Sequence, residues 1–76
     1  MDIAVQIDAV GLLCPLPVLK ARKALNGLRP GDVVRVLADD PMAVVDMPHF
    51  CTQSGHDLLE VQHIDQAQAY LIRRGS

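Results

Sequence analysis

Tryptophan is absent from this 76-residue chain, and tyrosine and phenylalanine occur once each. Such a chain has no set of aromatic faces on which bases could stack. Seven Lys and Arg against nine Asp and Glu leave a formal net charge of −2. No single-sign basic face is visible, so direct nucleic-acid binding is not expected. With only two cysteines, the spacing outlines no disulfide framework. No apolar run approaches a membrane span, which excludes a membrane helix. The opening Met1-Asp2-Ile3-Ala4-Val5 enters a strand pattern without the basic start of a signal peptide. These absences predict a soluble cytoplasmic protein whose thiols stay reduced. Half of the residues are hydrophobic, enough for a core in one domain over residues 1–76.

What the chain does have is a cysteine between a strand-like and a helix-like run, in Gly11-Leu12-Leu13-Cys14-Pro15-Leu16-Pro17-Val18-Leu19-Lys20. The first turn of a helix has backbone N–H groups without internal partners, and its dipole favours an anion. Thiolate is the form that attacks sulfur. The junction therefore predicts a Cys14 able to carry or exchange sulfur. Taking Cys14 as N-cap puts Pro15 at N1 and Pro17 at N3. Proline suits N1, and the residue before a proline is pushed to the extended geometry of a cap. Neither proline can donate, so Leu16 N–H is the one early donor that the Cys14 sulfur could accept. Pro17, however, pushes Leu16 away from helical geometry. Whether the first regular turn starts at Pro15 or after Pro17 stays open. The competing reading is a cysteine that serves as a small buried hydrophobe. Lys20, Arg22 and Lys23 precede any acid on this helix. They form either a solvated face or an electropositive surround for an anionic sulfur.

The rest of the chain alternates strands and helices. Ile3, Val5 and Ile7 alternate with Ala4, Gln6 and Asp8, predicting a half-buried strand. Val18, Ala21, Leu25 and Leu28 form a helical apolar stripe that ends at Asn26-Gly27. Val33 to Ala38 is rich in β-branched residues and reads as a strand. Asp39-Asp40-Pro41 reads as an acidic cap with proline at N1 of a second helix. There Ala43, Met47, Phe50 and Ser54 share a face, with Val44 and Cys51 beside it. Pro48 should kink or interrupt that helix, and Gly55 should cap it. Leu58 to Gln62 predicts a third strand, His63 to Gln66 a connection, and Ala67 to Arg73 a fourth strand. The order β-α-β-α-β-β predicts a two-layer α/β sandwich with two helices on one face of a four-stranded mixed sheet. Its open face should carry Gln6, Arg35 and Glu60.

The remaining candidates are weaker. Cys51 reads as a packed helix residue, with a resolving thiol as the alternative. His49, Cys51 and His56 lack the paired spacings of zinc sites, so no metal is expected. His49, His56 and His63 read as surface or capping residues, with a docking role open for His56.

The strand into Asp8-Ala9-Val10-Gly11-Leu12-Leu13-Cys14-Pro15-Leu16-Pro17 resembles the TusA, or SirA-like, family of small sulfur carriers. So do Gly31-Asp32, Asp39-Asp40-Pro41, Met47-Pro48-His49-Phe50-Cys51, Gly55-His56-Asp57-Leu58-Leu59 and Tyr70-Leu71-Ile72-Arg73-Arg74-Gly75. Phe50-Cys51-Thr52 and the Leu71-Ile72-Arg73-Arg74 ending are similar to its TusA branch. The resemblance covers nearly the whole chain. It implies a carrier rather than a stand-alone enzyme, with Cys14 holding a persulfide at the Pro15-Leu16-Pro17 helix entrance. The implied donor is a pyridoxal-phosphate cysteine desulfurase or another sulfurtransferase, and the implied recipient is a downstream relay protein. Wobble-uridine thiolation of tRNA, supply toward molybdenum cofactor and sulfur oxidation are the uses it implies. No cofactor of its own is expected, nor contact with nucleic acid or membrane, and the free chain is expected to be a monomer. The alternatives are a thiol redox module using Cys14 and Cys51, and a regulatory interaction module in which Cys14 only caps a helix.

Overall fold

A computed structural model describes residues 2–75. The elements run β1 Val5–Asp8, α1 Leu16–Asn26, β2 Val33–Ala38, α2 Ala43–Ser54, β3 Asp57–Ile64 and β4 Ala67–Arg73. The sheet order is β1-β2-β4-β3, with β1 parallel to β2 and the other two pairings antiparallel. This is the predicted two-layer sandwich, with both helices on one face.

Strand periodicity divides the sheet into two faces. Val34 pairs with Ile72, and Val36 with Tyr70. All four are fully buried in one cluster with Ala21 and Leu25 of α1 and Met47 and Phe50 of α2. On the opposite face the registers align Gln6, Arg35, Leu71 and Glu60 in one row. Arg35 Nη1 donates to Gln6 Oε1 at 2.9 Å, so the open face is polar where the pattern placed it.

Several boundaries differ from the sequence reading. Ile3 and Val5 are exposed because β1 is an edge strand that α1 covers only in part. His63 and Ile64 belong to β3, leaving a two-residue turn in which Asp65 takes φ 53°. Helix α2 starts at Ala43, because Asp40 holds a separate turn through Pro41 and Met42. Pro48 does not interrupt α2, which runs on to Ser54. A proline there removes a single internal bond, that to the Val44 carbonyl, and burial of Met47, Phe50 and Cys51 offsets it. Ser54 is exposed rather than part of the buried face. Gly55 does cap α2, with φ 75°, a conformation a side chain would strain.

The C-terminal strand fixes the far end of α1. Arg74 Nη1 donates to the carbonyls of Leu25 (2.7 Å), Asn26 (3.1 Å) and Leu28. A cation on the last carbonyls of a helix satisfies orphan acceptors and opposes the dipole's negative end. With that end tied, the N-terminus of α1 is held over the carboxyl ends of β1 and β2. Leu25→Ala, emptying a fully buried position of α1, is expected to cost about 2–5 kcal/mol in urea unfolding. Leu19→Ala, at a 46% exposed position of the same helix, should stay within about 1 kcal/mol.

Candidate functional site

The parallel pairing of β1 and β2 brings the connections after both strands to the same edge of the sheet. The β1 connection carries Cys14, and the β2 connection carries Asp39 and Asp40. The two are sewn together. Asp39 Oδ1 accepts from Gly11 N–H at 2.9 Å. Asp40 Oδ2 accepts from Cys14 N–H at 2.5 Å, and its Oδ1 from Met42 N–H at 3.1 Å. Asp40 is only 7% exposed and is the buried charged residue among the described residues. Both of its oxygens meet backbone donors, as a buried carboxylate requires.

The helix entrance differs from the predicted cap. Pro15, not Cys14, is the N-cap of α1, and Pro17 lies in the first turn with Leu16 already helical. The Leu16 N–H goes to the Leu13 carbonyl at 2.9 Å, so it is not available to the Cys14 sulfur. The local turn closes on its own backbone acceptor, which competes better for an amide than sulfur does. The Cys14–Pro15 peptide bond is cis.

Cys14 is exposed, and its Sγ–H donates to Asp46 Oδ2 on α2 at 2.8 Å. That contact reverses the expected electrostatics. The bond to the Asp46 carboxylate pushes the Cys14 thiol above its ordinary pKa, and the charge of Asp40 adds to this. The structure places the resting sulfur among acids rather than on a bare helix terminus. Of the three predicted cations, only Arg22 shares the Cys14 groove. Its guanidinium lies 5.4 Å from the Phe50 ring centroid. Lys20 and Lys23 line a different groove, against Val5 and Ile7 of β1.

The Cys14 groove runs between α1 and α2, has a volume of about 260 Å³, and is lined by Pro15, Val18, Arg22, Asp46, His49, Phe50 and Gln53 beside Cys14. It is open, so a second macromolecule can reach the sulfur. Cys51 does not share it. That thiol is buried in the core, and burial, with a smaller contribution from Asp57, pushes it up to about 11. Both cysteines are free thiols. His56 accepts the Gly75 N–H at 3.0 Å through Nδ1 and packs tilted on Phe50, with centroids 5.7 Å apart. Its contacts thus tie the end of the chain rather than face the groove, whereas His49 lines it. No group of three or more metal-ligating side chains occurs among the described residues. No helix among them is long and apolar enough to cross a membrane.

Sequence reasoning missed Asp46 and the double role of Asp40. Asp46 read as one polar residue of an amphipathic helix, and only the packing of α2 beside α1 brings it to Cys14. The signal that could have found Asp40 is its pair with Asp39 at the carboxyl end of a predicted parallel strand. Replacing Asp40 by Ala leaves the Cys14 and Met42 amides without their acceptor. The expected loss is about 2–3 kcal/mol in urea unfolding, with faster hydrogen exchange at the Cys14 amide.

The family model described as Sulfurtransferase TusA matches residues 5–74. The crystal structure of a SirA-like protein from Desulfitobacterium hafniense is also similar, at 32% sequence identity and a TM-score of 0.83. That match covers 95% of this chain and 99% of the other. With the fold, the connectivity and the Cys14-Pro15-Leu16-Pro17 helix entrance in place, the chain belongs to the TusA (SirA-like) family of sulfur carriers.

Proposed function

We propose that this chain accepts a sulfane sulfur on Cys14 from a cysteine desulfurase or other sulfurtransferase and relays it to a thiol of an acceptor protein. The observation that carries this reading is an exposed thiol, in the Cys14-Pro15-Leu16-Pro17 stretch that resembles the family, at the mouth of an open groove between the two helices. Loading is a displacement at sulfur. The Cys14 sulfur attacks the outer sulfur of a donor persulfide, the Sγ–S bond forms, and the donor's S–S bond breaks. The donor leaves as a thiol carrying the proton that Cys14 gives up, so R–S–SH and Cys14–SH become R–SH and Cys14–S–SH. No net oxidation occurs. Unloading is the same displacement with the acceptor thiol as nucleophile.

The chain needs no cofactor for this exchange, because the donor enzyme generates the sulfane sulfur. What it supplies is an accessible sulfur in a fixed place, and docking surfaces on α1 and the preceding connection. Wobble-uridine 2-thiolation of tRNA or related sulfur trafficking in the cytoplasm is the process served. The redox alternative needs Cys14 and Cys51 to meet, and the burial of Cys51 on the core face of α2 counts against it. The regulatory alternative makes the sulfur dispensable.

Incubation with a cysteine desulfurase, cysteine and pyridoxal phosphate, followed by intact mass, separates these readings. The wild type is expected to gain one reducible sulfur atom and Cys14→Ser none. A gain that survives Cys14→Ser, or no gain with an active desulfurase, would overturn the proposal.

A further inference from the structure

The Sγ–H of Cys14 has one acceptor among the described residues, Asp46 Oδ2 at 2.8 Å. This bond bridges the helix entrance of α1 to the first turn of α2, where Asp46 is held by its own N–H bond to the Met42 carbonyl at 2.8 Å. The groups facing the sulfur come from every element around it. Asp40 lies below it on the β2–α2 connection, Asp46 and His49 on α2, and Arg22 on α1. Arg22 is occupied with the Phe50 ring and makes no ion pair with Asp46. No cation among the described residues forms an ion pair with Asp46, whose Oδ2 accepts from the sulfur.

We propose that Asp46 is a positioning residue that holds the empty carrier's Cys14 as a neutral hydrogen-bond donor aimed at α2, so that the free thiol is a poor nucleophile until a partner engages the site. The raised pKa of Cys14 agrees with this, its largest cause being the bond to Asp46. The hold belongs to the empty state by chemistry. Loading replaces the Sγ proton with a second sulfur, and Sγ then has no hydrogen to donate. The partner that loads the carrier must displace or neutralise Asp46, which a Lys or Arg at the donor's surface would do. This rests on the carrier reading for its purpose, while its test needs no sulfur donor, so the two can fail separately.

The test is the pH profile of Cys14 alkylation by iodoacetamide, followed at the Cys14 peptide by mass spectrometry. Asp46→Asn is expected to move the profile to lower pH and to speed alkylation several-fold near neutral pH. Asp46→Glu, which keeps the carboxylate, should stay close to wild type. Glu60→Gln makes the same charge change on the open face of the sheet and should leave the profile in place. An Asp46→Asn profile that overlays the wild type, or shifts to higher pH, would overturn the proposal. So would a Glu60→Gln shift equal to that of Asp46→Asn, since net charge would then explain both. Melting curves of each variant, taken at the alkylation pH, show whether the sulfur reports on folded protein.

Discussion

The site depends on one buried carboxylate. Asp40 sits at the carboxyl end of β2 and accepts the amides of Cys14 and Met42, one on each oxygen. Those two bonds set the start of both helices' approach to the sheet edge. The connection after β1 is irregular and exposed, with Gly11 at φ 85°. Left alone it would sample many positions and spread the sulfur over them. Asp40 removes that freedom from beneath, Asp39 does so at Gly11, and Arg74 anchors the opposite end of α1. The Cys14 thiol thus projects from a fixed point, as a positioned reacting group would.

The electrostatics of that point differ from a simple helix-dipole account. Pro15 and Pro17 carry no amide hydrogen, and the Leu16 amide is used by Leu13, so little of the terminus is free to stabilise a thiolate. Two aspartates set the charge instead. A carrier has reasons to be quiet between partners, because an exposed thiolate is open to oxidation and to adventitious exchange. Accessibility comes from the groove, and the proposed hold by Asp46 leaves reactivity to the partner. Specificity would then lie in docking rather than in a substrate pocket.

The sequence pattern made the architecture legible where side-chain period decided it. Val33 to Ala38 and Ala67 to Arg73 became strands with the boundaries their composition suggested, and Ala21 and Leu25 became the buried stripe of α1. It failed where local preferences compete with closure of a turn. The Cys14 cap lost to a Leu13–Leu16 backbone bond, the Asp39-Asp40-Pro41 start moved two residues onward, and Pro48 was absorbed by the packing of α2. Cys14 could be picked out because its motif is local. Asp46 could not, because its contact with Cys14 spans 32 residues and exists only once the two helices lie side by side.

The central claim is that Cys14 carries a transferable sulfur while Cys51 is only packed in the core. Peptide mass spectrometry on the chain isolated from its own cells without reductant tests it most directly. The account predicts a Cys14 peptide carrying one extra sulfur that reduction removes, and an unmodified Cys51 peptide. A Cys14–Cys51 disulfide, or extra sulfur confined to Cys51, would contradict it.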